Sequence, residues 1–205
     1  MLRLAPDAGG LVEAARIIRA GGLVAFPTET FYGLAADPFN EEALARLFFA
    51  KQRSLQKAVL LLVNDRWQLT DLVNQIPDVY EGLIEKFWPG PLTLIFPARP
   101  HLPTLLTARS GTVGVRMSSQ PLAGKLLEAS GSPLTATSAN LSGQPSLSSA
   151  DQVMGQLAGR IDAVLDGGDT PGAGSSTIVR LVAGKLSVVR QGVLPFADIR
   201  AAVGL

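Results

Sequence analysis

The sequence contains no cysteine and a single histidine. The absence of cysteine excludes disulfides, thiolate nucleophiles and cysteine-bound metals. The one histidine, His101, cannot form a multi-histidine metal site, and its proline-rich surroundings disfavour a Ser-His-Asp triad. Any chemistry in this chain therefore falls to hydroxyls, carboxylates, lysines, arginines and backbone groups.

The sequence also lacks an excess of charge of either sign. Lys and Arg number 18 and Asp and Glu number 17, so the net charge of +1 gives no global electrostatic case for nucleic acid binding. The N-terminus has no long apolar core of the kind that signal peptides carry, and no window approaches the length of a membrane span. We therefore expect a cytoplasmic protein with no membrane partner.

What is present describes an ordered globular protein. Hydrophobic residues make up 47% of the 205 residues and charged residues 17%, which is enough apolar content for a sizeable core. The length suits one well-buried domain or at most two small ones. Because no internal repeat, low-complexity stretch or linker interrupts the chain, the sequence predicts a single domain over residues 1–205.

Apolar runs and helical periodicity alternate along the chain. The sequence predicts strands at 23–26, 58–63, 92–96, 112–116, 134–137, 162–165, 177–182 and 186–190. Helices are predicted at 11–20, from 41 to about 51, before 87, at 122–129, after the capping box of Ser149 and Gln152, and at 196–203. The last two strands form a predicted hairpin. This order favours an α/β fold whose sheet is partly parallel and partly antiparallel, with helices packed on it.

Four polar clusters stand at the ends of these predicted elements. They are Thr28-Glu29-Thr30, Lys51-Gln52-Arg53 with Lys57, Ser138-Ala139-Asn140, and Ser175-Ser176-Thr177; Arg116 and Arg190 add two arginines at strand ends. Taken singly, each cluster is also explained by a polar turn or by solvated charge. The choice between turn and site depends on their combination.

Together, the clusters suit an anionic substrate that is rich in oxygen atoms. Lysine supplies a point charge for phosphate, arginine a planar fork for carboxylate or phosphate, and hydroxyls and turn amides supply neutral donors. Catalysis would then depend on positioning and charge stabilisation, as in phosphoryl and nucleotidyl transfer. The sequence has neither a P-loop motif nor a dinucleotide-binding glycine motif after a strand.

Six motifs occur in an order that resembles a known family. They are Pro27-Thr28-Glu29-Thr30-x-Tyr32-Gly33-Leu34, Lys51-x-Arg53, Trp88-Pro89-Gly90-Pro91-Leu92-Thr93, Val115-Arg116, Ser138-Ala139-Asn140-x-Ser142-Gly143 and Ser176-Thr177-Ile178. The chain resembles the YrdC/Sua5 family of threonylcarbamoyl-AMP synthases, in its short single-domain type. This resemblance implies a YrdC-like open, twisted, mixed sheet with packed helices.

The resemblance implies a nucleotidyltransferase that makes threonylcarbamoyl-AMP and pyrophosphate from L-threonine, bicarbonate and ATP. Mg2+ would accompany the triphosphate. Partner proteins, the t6A transferases, would pass the threonylcarbamoyl group to adenosine 37 of tRNAs, and direct contact of this chain with tRNA is left open. The resemblance assigns threonine binding to Thr30, Arg116 and Ser176, catalysis to Lys51 and Arg53, and ATP binding to Arg53, Lys57, Thr112, Ser138, Asn140, Ser146 and Arg190. It assigns no role to Glu29.

The sequence departs from the family pattern after Arg53. Ser54 and Ala58 stand where prolines are common, and Leu60, Leu61 and Leu62 offer no histidine near threonine. Two alternatives remain beside the synthase. One is an RNA-binding module, which the balanced charge and the lack of an RNA-reading aromatic motif weaken. The other is a diverged YrdC-like paralogue with another substrate, which the presence of Lys51 and Arg53 disfavours.

Overall fold

The computed structural model describes residues 1–204, in which short strands and helices alternate. The strands are β1 (Leu2–Leu4), β2 (Val24–Pro27), β3 (Tyr32–Ala35), β4 (Leu61–Val63), β5 (Leu92–Pro97), β6 (Thr112–Met117), β7 (Leu134–Thr135), β8 (Thr137–Ser138), β9 (Ala163–Leu165), β10 (Thr177–Val182) and β11 (Lys185–Arg190). The α-helices are α1 (Ala8–Arg19), α2 (Glu41–Lys51), α3 (Leu69–Leu72), α4 (Asp78–Phe87), α5 (Thr104–Thr107), α6 (Pro121–Ser130), α7 (Ala150–Leu157) and α8 (Phe196–Ala201).

The strands form two hydrogen-bonded sheets. One has the order β1-β9-β2-β3-β8 and the other the order β11-β10-β5-β6-β4-β7. Both sheets mix parallel pairs, such as β2 with β9 and β10 with β5, and antiparallel pairs, such as β2 with β3 and β5 with β6. The predicted mixed α/β fold is confirmed, as is the hairpin of β10 and β11 at one edge.

A single extended segment, residues 134–138, joins the two sheets. Its first half, β7, pairs with β4 of the six-stranded sheet, and its second half, β8, pairs with β3 of the five-stranded sheet. Between them the amide of Ala136 donates to the carbonyl of Leu60, at 2.8 Å. The polar residues that follow this segment are therefore held where the two sheets meet.

Apolar side chains on both faces hold the five-stranded sheet in the interior. In β2 and the residue before it, Leu23 and Ala25 pack into one buried cluster and Val24 and Phe26 into the other. This is the period-two alternation of a strand covered on both faces. Helices α1 and α6 pack against the Val24 and Phe26 face, and the larger cluster lies between residues of both sheets. The strand ends near the junction are thus rigidly supported.

Most predicted elements lie within a few residues of their observed bounds, but three predictions need correction. The predicted strands omit the stretch from Tyr32 to Ala35, which forms strand β3. The strand predicted at 58–63 covers only Leu61–Val63, since the Ala58 carbonyl instead accepts a hydrogen bond from Arg53. Ser149 does cap α7, but Gln152 returns its bond to Ser148 rather than to Ser149, so the capping box is incomplete.

Within residues 1–204, none of the helices has both the length and the apolar content that crossing a bilayer requires.

Gly192 provides a test of how tightly β10 is held. A Cβ at this position would lie 2.2 Å from the carbonyl oxygen of Ser175 and 2.5 Å from the amide nitrogen of Thr177. We expect Gly192→Ala to lower the free energy of unfolding by about 1–3 kcal/mol, because backbone atoms must move to admit the methyl group. Urea unfolding measures the change.

Gly155→Ala is the matched control, since a Cβ there meets no heavy atom within 4 Å and the position lies inside α7. We expect that variant to gain about 0.5–1 kcal/mol, because alanine favours helix more than glycine does. Equal effects of the two substitutions would contradict the close packing at Gly192.

Candidate functional site

A cavity of about 220 Å³ lies at the junction of the two sheets. Its wall consists mostly of hydroxyl side chains, small or aliphatic residues, and three arginines. The lining residues are Thr28, Thr30, Phe31, Tyr32, Gly33, Arg53, Ala58, Leu60, Leu61, Leu62, Arg116, Ala136, Thr137, Ser138, Ser146, Ser175, Ser176, Ile178 and Arg190. The volume is below the roughly 300–1,000 Å³ of drug-sized ligand pockets, so a nucleotide would extend beyond it.

The turn between β2 and β3 forms one wall of this cavity. Pro27 pairs with Tyr32, which leaves residues 28–31 as a tight connection. The Thr28 hydroxyl donates to the Phe31 carbonyl at 2.7 Å and lies 2.9 Å from the Thr30 hydroxyl. Because a hydroxyl has only one proton to donate, Thr30 must be the donor of the second bond. The Thr30 oxygen therefore presents acceptor lone pairs to the cavity.

Arg116, near the end of β6, lies on the floor of the cavity with 7% of its side chain exposed. One terminal nitrogen of its guanidinium donates to Glu29, whose other carboxylate oxygen accepts from the Ser118 hydroxyl. Burial lowers the pKa of Arg116, and the adjacent Glu29 partly opposes that shift. An arginine nevertheless stays protonated near neutral pH. The cavity therefore contains a fixed positive charge.

Arg190 and Ser176 form the opposite wall, at the point where β10 and β11 meet. The Arg190 guanidinium donates to the Ser176 carbonyl at 2.9 Å and to the Ser176 hydroxyl at 3.0 Å. That hydroxyl also lies 2.9 Å from the hydroxyl of Thr93 on β5. Partial desolvation and the nearby charge of Arg116 lower the pKa of Arg190. Two guanidinium groups thus share one small space, which favours an anionic ligand.

Arg53 brings the third cation, from the loop that follows α2. Its guanidinium donates to the carbonyls of Lys57 and Ala58, the latter at 2.7 Å. Burial lowers the pKa of this side chain. Among residues 1–204, neither Arg53 nor Arg190 forms an ion pair with a carboxylate, so the positive charge at the cavity exceeds the negative charge.

Lys51, at the end of α2, is almost completely buried, with 1% exposure. Its ammonium donates to the carbonyl of Ser138 and, at 2.6 Å, to that of Asn140, and its own carbonyl accepts from the amide of Ser142. Burial lowers the pKa of Lys51 to about 7, and the charge of Arg53 contributes to the shift. Lys51 therefore satisfies the backbone of the Ser138-Ala139-Asn140 turn instead of facing the cavity.

The structure brings most of the predicted site residues to this one cavity. Those that line it are Arg53, Thr30, Arg116, Ser176, Ser138, Ser146 and Arg190. Lys51 and Asn140 lie behind the wall, where the amide of Asn140 donates to the carbonyls of Leu141 and Gln144. Lys57 is exposed to solvent. Thr112 contacts Ser110 and lines a different surface depression, so these two residues do not join the others.

Three further polar side chains contribute to the site but had no assigned role. Glu29 accepts hydrogen bonds from Arg116 and from Ser118, and Thr28 fixes the orientation of Thr30. Glu29 and Thr28 lie in a polar cluster that the sequence does reveal. Ser118 carries no such signal, because a serine after a strand is common in turns. Its partnership with Glu29 depends on contact across 89 positions of sequence.

Within residues 1–204, no group of three or more His, Asp or Glu side chains could hold a metal ion. Glu29, the carboxylate nearest the arginines, is already bound to Arg116 and Ser118. The residues described at the cavity therefore do not fit a resident metal.

The chain is similar in sequence to known proteins. The Sua5/YciO/YrdC family model, described as telomere recombination, matches residues 16–192. The chain is 41% identical over 191 residues to the threonylcarbamoyl-AMP synthase of Pyrococcus abyssi, which covers 93% of this chain and 56% of that protein. It is 40% identical over 184 residues to the threonylcarbamoyl-AMP synthase of Vibrio cholerae, covering 89% of this chain and 97% of that protein.

A solved structure leads to the same group. The crystal structure of P. abyssi Sua5 complexed with L-threonine matches with a TM-score of 0.94 and 38% sequence identity, over 99% of this chain and 60% of that chain. This chain thus spans little more than half of the Pyrococcus relative and nearly the whole length of the Vibrio relative.

The buried amine of Lys51 predicts a dependence of stability on pH. Its pKa is about 7 in the folded protein against 10.5 for a free side chain. Between these values the unfolded chain binds a proton that the folded chain does not, so the Lys51 contribution to stability rises with pH across this window. The free energy of unfolding of the wild type minus that of Lys51→Met should therefore increase between about pH 7 and about pH 9.5.

Urea unfolding at both pH values measures this difference. Lys185→Met, at an exposed position of β11, is the control and should leave the pH dependence unchanged. A difference between wild type and Lys51→Met that stays constant or falls with pH would show that the amine remains protonated in the fold.

Proposed function

Because this chain belongs to the Sua5/YciO/YrdC family, we propose that it is an L-threonylcarbamoyladenylate synthase. The reaction joins L-threonine, bicarbonate and ATP to give threonylcarbamoyl-AMP, pyrophosphate and water. The observation that carries the proposal is the cavity lined by Arg53, Arg116 and Arg190 and by several hydroxyls. Such a wall suits carboxylate, carbamate and phosphate groups, all of which are planar or tetrahedral anions.

We assign the threonine end of the substrate to the side of the cavity formed by Thr30, Arg116 and Ser176. The Arg116 guanidinium would bind the α-carboxylate, because its fork matches carboxylate geometry and one terminal nitrogen is already held by Glu29. The acceptor lone pairs of Thr30 suit the amino group or the hydroxyl of threonine. Ser176 lies beside Arg190, between the amino acid and the position proposed for the phosphates.

We assign the nucleotide to the side formed by Arg53, Ser138, Ser146 and Arg190. Arg53 and Arg190 can neutralise the negative charge that develops on pyrophosphate as it leaves. Lys51 and Asn140 would act by holding the turn that presents Ser138, since the Lys51 amine and the side-chain NH2 of Asn140 donate to backbone carbonyls. Lys57 and Thr112 lie outside the cavity, so we assign them no direct contact with the nucleotide.

The chemistry requires placement of reactants more than a protein nucleophile. The threonine nitrogen forms a bond to the carbon of CO2 or bicarbonate, and water leaves in the second case. A carbamate oxygen then attacks the α-phosphorus, and the bond to pyrophosphate breaks. The carbamate is short-lived in water, so a small, cationic and partly enclosed cavity would protect it. ATP would enter as its Mg2+ complex, whose metal neutralises phosphate charge.

We place the product in the synthesis of N6-threonylcarbamoyladenosine at position 37 of tRNAs. An acyl adenylate is a reactive mixed anhydride, so a partner t6A transferase would consume it. We also propose that the protein acts in the cytoplasm, where tRNA is modified, and that residues 1–205 form a single domain. A role as an RNA-binding module is the alternative of a different class, and the net charge of +1 gives it little support.

Purified protein supplied with threonine, bicarbonate and ATP should release pyrophosphate, with dependence on all three compounds. A coupled pyrophosphate assay that omits each compound in turn measures this dependence. Release that ignores threonine would sink the synthase proposal and favour a paralogue with another substrate. Strong, salt-sensitive RNA binding without turnover would favour the RNA-binding module.

Arg53→Ala should reduce turnover by about 100-fold or more, since it removes a cation from the proposed phosphate side. The fold should survive, because the hydrogen bonds of the Arg53 side chain stay within its own loop. Circular dichroism and the pyrophosphate assay provide the measurements. Arg19→Ala is the control, as Arg19 also donates to a backbone carbonyl but is an exposed residue of α1 outside the cavity. Equal activity of the two variants would remove Arg53 from the site.

A further inference from the structure

Glu29 is a carboxylate beside the cavity for which the proposed reaction has no use. It lies in the β2–β3 turn, between Thr28 and Thr30, whose side chains line the cavity. Glu29 does not itself line the cavity, and its carboxylate binds Arg116 of β6 in the other sheet and Ser118, which follows that strand. Glu29 therefore links the turn to the cation that we assign to the substrate carboxylate.

The pair of Glu29 and Arg116 is much less exposed than the other ion pairs within residues 1–204. The side-chain exposures are 14% for Glu29 and 7% for Arg116, against 43% and 54% for Glu81 and Arg66. An exposed pair is worth little, whereas a buried pair is held in one geometry because both charges have lost water. Glu29 thus restricts the orientation of the Arg116 side chain.

The geometry leaves part of the guanidinium available. A guanidinium carries five N–H donors arranged in a planar fork. Within residues 1–204, the Arg116 side chain donates only to Glu29, through one terminal nitrogen. Since Arg116 also lines the cavity, its remaining donors can serve a ligand there. The protein carboxylate and a substrate carboxylate can therefore bind different edges of the same fork.

We infer that Glu29 is a positioning residue that holds Arg116 so that its remaining N–H groups bind the α-carboxylate of the amino acid substrate. Glu29 thereby contributes to selection of amino acids over amines that lack a carboxylate. Ser118 supports this role by donating to the second oxygen of Glu29. The inference rests on the proposed function for the identity of the ligand.

The test compares binding of L-threonine with binding of L-threoninol, the amino alcohol without the carboxylate. Isothermal titration calorimetry with the full chain gives both dissociation constants without requiring turnover. We expect Glu29→Ala to weaken threonine binding roughly tenfold or more, because Arg116 loses its orientation. Binding of threoninol should change by less than about threefold. Glu29→Gln keeps the shape and should give an intermediate loss for threonine.

The controls separate positioning from general stability. Glu81→Gln breaks an exposed ion pair outside the cavity and should leave both constants unchanged. Thermal unfolding of each variant identifies any loss of fold, and Glu29→Gln serves if the alanine variant does not fold. Equal weakening of threonine and threoninol would show a merely structural role and overturn the inference. Tighter threonine binding in Glu29→Ala would show that Glu29 competes with the substrate, which also overturns it.

The proposed function can fail while the inference about Glu29 is still tested. If the wild type binds threonine but releases no threonine-dependent pyrophosphate, the synthase assignment is wrong while the binding comparison still tests Glu29. If the wild type does not bind threonine, the inference about Arg116 and Glu29 is overturned as well.

Discussion

The arrangement of the cavity depends on residues 134–138, which belong to both sheets. This short segment pairs with β4 on one side and with β3 on the other, so it fixes the distance between the turn after β2 and the end of β6. The turn after β2 carries Thr30, and the end of β6 carries Arg116. Because residues 134–138 pair with both sheets, these two polar side chains lie at one cavity. Hydrophobic burial on both faces of β2 then keeps the junction rigid.

Two buried charged side chains secure the junction. Lys51 supplies donors to the carbonyls of Ser138, at the end of β8, and of Asn140, in the turn that follows it. Arg116 is neutralised on one side by Glu29, which connects the five-stranded sheet to the six-stranded sheet. Neither arrangement is favourable by Coulomb attraction alone, since burying a charge is costly. We attribute the burial of both side chains to the orientation of groups that act on a ligand.

The sequence predicts the fold well wherever a pattern is local. The apolar runs of β5, β6 and β10 are read directly from residue order. It fails where pairing depends on distant residues. Strand β3 contains Gly33, which weakens a strand signal, and forms because β2 and β8 both pair with it. The division into two sheets likewise depends on one junction that no local pattern marks.

The candidate site follows the same rule. The cations and hydroxyls stand out because they interrupt apolar strand ends, and Arg53, Arg116, Arg190 and Thr30 do line one cavity. Which of two neighbouring residues faces the cavity is not readable from spacing. Lys51, for which the resemblance implies a catalytic role, directs its amine to the carbonyls of a backbone turn. The sequence reveals Glu29 but not its role, and it gives no signal for Ser118, because the two side chains meet only through a contact across 89 positions of sequence.

The most direct measurement is a crystal structure of this protein soaked with L-threonine. We expect the threonine carboxylate to bind Arg116 while the hydrogen bond from Arg116 to Glu29 remains. We also expect the Thr30 oxygen to accept a hydrogen bond from threonine. A carboxylate bound away from Arg116, or a Glu29 side chain released from Arg116 when threonine binds, would contradict these expectations.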